Sequence, residues 1–176
     1  MAEIPKDWKV AAATEEEIDF ILYDLVASGT TASAEKIFFN QNRSTSGLAV
    51  TNMEIAGQLP STHRFLIKKL GLLIDVNAAA GDSADVLDSA ITELYINNKL
   101  IFSAPSPIFA LPIDISTTRT AEVGGAAGQV EFELDKYVTI QGGTPFKVSM
   151  TIGKTAASAS TDLTYLLRGK LIRPSA

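Results

Sequence analysis

Three stretches near the end of the chain alternate apolar and polar residues with a period of two, and no feature of the sequence constrains the fold more. Val130, Phe132 and Leu134 alternate with Glu131, Glu133 and Asp135, and Val138 and Ile140 flank Thr139 before Gly142-Gly143 turns the chain. Phe146, Val148, Met150 and Ile152 then alternate with Lys147, Ser149 and Thr151. Finally Leu163, Tyr165, Leu167 and Leu171 alternate with Thr164, Arg168 and Lys170, with Gly169 on the inner row and Pro174 just beyond. Successive side chains of a strand point to opposite faces, so this pattern predicts antiparallel β-structure with one wet face.

Upstream, residues 91–107 read as a hairpin. Two β-prone runs, 91–96 and 99–104, are separated by Asn97-Asn98, and asparagine tolerates the left-handed conformation of a two-residue turn. With that turn, Glu93, Tyr95, Leu100 and Phe102 share one face, and Leu94, Ile96, Lys99 and Ile101 the other. Both faces then carry large apolar groups and need cover, from a second sheet and from a loop or neighbouring subunit; a slipped register would instead clear one face. Residues 35–40 and 48–55 are expected as short strands, and 62–77 as a long central one with Gly71 marking a bulge or close approach. Residues 78–85 read as a loop, with one helical turn over 84–89. Pro105, Pro107 and Pro112 carry the chain between elements, and 116–128 reads as a long exposed loop.

The N-terminal part reads differently. Thr14 with Glu17 forms a capping box, the acidic first turn suits the helix dipole, and Ile18, Ile21, Leu22, Leu25 and Val26 recur at helical spacing before Gly29. This predicts an N-terminal helix over about 14–28 within an arm, residues 1–34. It would pack on its own domain or dock on a neighbour. Residues 35–176 are expected as one all-β antiparallel β-sandwich, most economically a single jelly roll of about eight strands.

Length and composition support one self-sufficient domain. A chain of 176 residues buries roughly two thirds of its unfolded surface, and with no cysteine it holds by packing alone. A net charge of −5 and no basic cluster argue against coating nucleic acid. The N-terminus has neither a signal peptide pattern nor an uninterrupted apolar span. At 46% hydrophobic and 20% charged residues, the composition leans toward assembly.

A search for reactive groups yields ordinary structural residues. His63 is the only histidine and no nucleophilic motif surrounds it, so it reads as a strand-end residue and no histidine metal cluster is possible. Asp82, Asp85 and Asp88 lack calcium-loop spacing and read as solvated carboxylates. Gly124, Gly125 and Gly128 lack the lysine of a phosphate loop. Glu131 and Glu133, about 7 Å apart on one strand face, resemble a glycosidase pair less than an acidic surface row. Asn42-Arg43-Ser44 fits a glycosylation sequon but reads as loop, and Trp8 as an anchor for the arm. No catalytic residue, metal or cofactor is expected.

Four stretches carry a family resemblance: FFNQNRSTSGLAVTNMEIAGQLPSTHRFLIKKLGLLI, ELYINNKLIFSAPSPIFALP, DKYVTIQGGTPFKVSMTIG and LTYLLRGKLIRP. Over residues 37–174 this succession of strands and turns resembles the single jelly-roll major capsid proteins of icosahedral phages with an internal membrane, in particular the small capsid subunit of the sphaerolipovirus-like group. The resemblance implies a non-enzymatic virion protein, made in the host cytoplasm, that assembles with copies of itself and other capsid proteins around a lipid vesicle. It implies no direct contact with nucleic acid and no small-molecule substrate. Candidate subunit contacts are Ile18, Ile21, Leu22, Leu25, Tyr95 and Phe102. The alternative is a jelly-roll carbohydrate-binding or adhesion module, which the low aromatic content of 7% disfavours.

Overall fold

The computed structural model describes residues 15–75, 80–108 and 131–175. Among the described residues eight strands form two antiparallel sheets: β1 (Glu15–Ala27), β2 (Glu35–Phe38), β3 (Arg64–Ile74), β4 (Ile91–Ile96), β5 (Lys99–Pro105), β6 (Glu131–Gln141), β7 (Phe146–Thr151) and β8 (Asp162–Pro174). One sheet has the order β1-β8-β3-β6 and the other β2-β7-β4-β5. The pairs β1 with β8, β2 with β7, β3 with β6 and β4 with β5 are nested, as in one long antiparallel ribbon whose tip is the β4–β5 turn.

The three runs of period two become β6, β7 and β8. In β8, Leu163, Tyr165, Leu167, Gly169 and Leu171 are buried while the residues between them are partly or fully exposed. The inner rows of both sheets meet in one core, where Phe38 of β2 packs on Tyr165 of β8 with ring centroids 5.5 Å apart. Burial pushes the Tyr165 hydroxyl pKa far up, so it remains a neutral phenol. The sandwich closes at one side through Phe102 of β5 and Phe132 of β6, also 5.5 Å apart.

The predicted N-terminal helix is corrected. Residues 15–27 are β1, paired with β8 along their whole length from Glu15 opposite Pro174 to Ala27 opposite Asp162. The same apolar residues satisfy a period of two, since Ile18, Phe20, Leu22 and Val26 all turn to the core. The acidic run that suggested a helix cap instead meets cations across the sheet. Glu15 pairs with Arg64 at 2.7 Å, Glu16 with Arg173, and Glu17 and Asp19 with Lys170 at 3.5 and 3.1 Å. Those partners are invisible to local sequence spacing. The Asp19 and Glu17 carboxylates also raise the Lys170 pKa above its ordinary value, with the Asp19 hydrogen bond the largest cause.

Three smaller expectations change. The irregularity expected at Gly71 falls between Ile67 and Lys69, and the close approach is at Gly169, where an added Cβ would lie 1.8 Å from the Leu66 carbonyl oxygen. The strand expected over 48–55 is a turn segment preceded by α1 (Arg43–Ser46), and the loop over 78–85 is largely α2 (Ala80–Leu87). Trp8, Thr14 and the segment 116–128 with its glycines lie outside the described residues.

Candidate interaction surface on the β4–β5 hairpin

Asn97 and Asn98 both adopt positive φ, 51° and 59°, the conformation that lets a two-residue turn follow the twist of its strands. Tyr95 faces Leu100 as that turn requires, but the register then shifts, and Leu94 rather than Glu93 faces Phe102. The extra residue at Ile101 rotates Phe102 inward onto the core and leaves Ile101 40% exposed. This shift resolves the two-faced hairpin only in part. Of the seven large hydrophobics exposed among the described residues, Ile91, Leu100, Ile101 and Ile108 lie on the hairpin or the 3-10 turn that follows it.

On the outer face of the same sheet, this apolar margin borders a polar cluster. Tyr95 donates its hydroxyl proton to Glu93 at 2.8 Å, and Lys147 lies 5.2 Å from the centre of the Tyr95 ring. Lys147 also reaches Glu35 at 3.9 Å, and the Ser149 hydroxyl donates to Glu35 at 2.7 Å. The hydrogen bond to Glu93 raises the Tyr95 pKa, which keeps the phenol protonated. The cluster is internally hydrogen-bonded and, with two carboxylates to one ammonium, keeps a negative charge beside the apolar side chains.

The six candidate contact residues separate. Tyr95 is on this outer face, half-buried. Leu22 is buried in the core, Ile18 packs against it, and Phe102 joins it from the other sheet, because strand geometry turns their side chains inward. Leu22 therefore has almost no surface to offer a neighbour, while Ile18 and Phe102 keep part of theirs. Ile21 and Leu25 point the other way from Leu22 and are half-buried.

The free edge of β1 beside them is covered by residues 50–52. Leu25 donates its N–H to the Val50 carbonyl at 2.9 Å, Tyr23 donates to the Asn52 side-chain oxygen at 3.0 Å, and the Asn52 amide donates to the Ile21 carbonyl at 2.6 Å. A single antiparallel bridge between Asp24 and Thr51, extended by the Asn52 side chain, thus stands in for a strand at this edge. Sequence reasoning missed Asn52 and also Asp24, a fully buried carboxylate on the inward row. An acidic residue between Leu22 and Val26 at period two was the available signal for Asp24.

Groups considered for chemistry have structural partners. Glu131 pairs with Arg168 at 3.0 Å and Lys69 at 3.5 Å, and Glu133 with Lys68 at 3.1 Å, a charge ladder across the outer face of the first sheet. Asp82 accepts from the Ser158 hydroxyl and N–H, both at 2.6 Å, and these bonds lower its pKa. The Asp88 side chain receives the Thr155 hydroxyl at 3.4 Å. His63 Nδ1 is 3.1 Å from the Thr62 hydroxyl at the mouth of β3. Asn42 caps α1, accepting from Thr45 N–H at 3.1 Å and the Ser44 hydroxyl at 2.7 Å. Among the described residues no group of three His, Cys, Asp or Glu side chains could hold a metal ion. No protein-family model matches the chain, and no curated protein is significantly similar to it.

Proposed function

We propose that this protein is a structural subunit of a viral shell: a single jelly roll that tiles beside copies of itself in the icosahedral capsid of a phage, around an internal membrane. The observation that carries the reading is the nested strand pairing. The order β1-β8-β3-β6 opposite β2-β7-β4-β5 is what results when an eight-strand antiparallel ribbon is rolled up, and every connection except the β4–β5 turn passes between the sheets. The residue resemblance to capsid subunits over 37–174 points the same way. So does a sheet margin that presents Ile91, Leu100 and Ile101 to the outside. A net charge of −5 suits a shell that a bilayer separates from its genome.

Concentrated purified protein, followed by sedimentation and electron microscopy, should form regular capsomers or closed shells. A monodisperse monomer at every concentration, together with saturable binding on a glycan array, would replace this reading with the carbohydrate-binding one.

A further inference from the structure

Residues 48–56 lie as a strap across the β1 edge. Gly47 and Gly57 bound it, at φ 85° and 70°, values that glycine adopts without strain. The two ends differ. Gly57 is pinned, donating its N–H to the Phe39 carbonyl at 2.6 Å and accepting that of Phe146 at 2.7 Å, whereas a Cβ added at Gly47 would meet nothing within 4 Å. Between them the strap is one layer thick: Thr51 and Met53 are buried while Leu48, Glu54 and Ile55 are exposed. Besides the bonds from Leu25 and Tyr23, the Thr51 hydroxyl and the Asn52 N–H hold it down on the Tyr23 carbonyl, at 3.1 and 3.4 Å.

Asp24 lies beneath this strap. Its backbone bridges to Thr51, its Oδ2 accepts the Phe39 N–H, and its Oδ1 has no hydrogen-bond partner among the described residues. The elements packed around it bring little charge. On the inner rows of β1 and β8 the other titratable groups are Glu16 and Arg173, paired with each other at the far end, and Tyr165, the neutral phenol directly across. β2 contributes Lys36, whose Nζ lies by Gly29 beyond the end of β1. Arg43 of α1 and Glu54 of the strap pair with each other at 3.2 Å on the exposed side. Among the described residues no cation pairs with Asp24, so an ionised carboxylate there is a buried charge without compensation.

We propose that Asp24 is a proton-operated latch for the strap: while the carboxyl is neutral the strap stays closed on the β1 edge, and loss of the proton loosens it about Gly47 and uncovers the amides of residues 21–25. The strap is the thinnest cover over the carboxylate. Reaching water the other way means parting β1 from β8 along thirteen paired residues. Burial holds the Asp24 pKa at about 6 in the closed form, and an open form returns it toward 3.8. The opening constant therefore rises between those pH values and is level outside them, by on the order of 100-fold in all. The latch belongs to the single chain and does not rest on the shell reading.

Residue-resolved hydrogen exchange between pH 4 and 8 tests it, each rate being divided by that amide's intrinsic rate at the same pH. The N–H groups of Tyr23 and Leu25 face the strap; those of Leu22 and Val26, at alternate positions, face β8 and report on the ladder itself. Protection of Tyr23 and Leu25 is expected to fall on the order of 100-fold from pH 4 to 8. It should stay below that of Leu22 and Val26 and be insensitive to urea short of the unfolding transition, because local opening exposes little surface. In Asp24→Asn the protection of Tyr23 and Leu25 should be level across the range, and the parent's own profile suffices if that variant does not fold. Protection that is level with pH in the parent overturns the latch. So does a fall with the urea dependence of Leu22 and Val26, which marks unfolding of the whole molecule. A fall that persists in folded Asp24→Asn assigns the proton to another group and overturns it equally.

Discussion

The carboxylate of Asp24 accepts the backbone N–H of Phe39 at 2.5 Å, and neither residue has any exposed surface. Phe39 lies in the left-handed region at φ 68°, which a bulky side chain adopts only when its surroundings enforce it. Here the enforcement comes from Asp24 on one side and from Gly57, which donates its N–H to the Phe39 carbonyl at 2.6 Å, on the other. The chain can therefore leave β2, turn sharply and run back across the β1 edge as residues 50–52.

Asp24 makes stability pH-dependent. Burial raises its pKa from 3.8 to about 6, against the opposing bond from Phe39, and its Oδ1 atom has no hydrogen-bond partner. Between those values the folded protein holds a proton at Asp24 that the unfolded chain has released. The contribution of this group to stability is therefore most favourable below about pH 4, is lost as pH rises from there through about 6, and is level above it. The linked change is on the order of 3 kcal/mol. Asp24→Asn, which keeps the volume and the Phe39 acceptor, should remove this decline and be more stable than the parent at pH 8, by about 1 to 3 kcal/mol. Thermal melts of both proteins from pH 4 to 8 check this; melting curves that stay parallel across the range would sink it.

Asn52 is the residue that closes the β1 edge. Asn52→Ala removes the acceptor for Tyr23 N–H and the donor to the Ile21 carbonyl, and should cost about 1 to 3 kcal/mol. Hydrogen exchange should quicken at Tyr23 while the amides of β8 stay protected. Equal protection of Tyr23 in both proteins would mean that the covering segment does not depend on this side chain.

Gly169 of β8 has the backbone of β3 directly against it. A methyl group there would meet the Leu66 carbonyl oxygen at 1.8 Å and the Ile67 Cα at 3.1 Å, both backbone atoms that move only if the central pair of strands separates. Gly169→Ala should destabilise the fold by several kcal/mol, more than the roughly 1 to 3 kcal/mol typical of an overpacked core. Chemical denaturation measures it, and a loss below about 1 kcal/mol would mean that the bulge beside Lys68 absorbs the methyl.

The chain alone was sufficient for much of the architecture. The alternation in 131–141, 146–151 and 162–174 has one solution, since only a strand with one buried face uses a period of two, and the asparagine pair likewise named its own turn. Residues 15–27 had two solutions, because Ile18, Leu22 and Val26 fit both a helical stripe and a strand row. Only the fold chose between them, by offering the free edge of β8 and the cations Arg64, Lys170 and Arg173 from distant positions. A helix dipole interacting with an acidic first turn contributes about 0.3 to 1 kcal/mol, far less than a full-length ladder and a buried apolar row. The shift at Ile101 and the cover of the β1 edge by residues 50–52 were likewise decided in three dimensions. Each depends on which strands are neighbours, and local periodicity determines that a strand forms without determining what lies beside it.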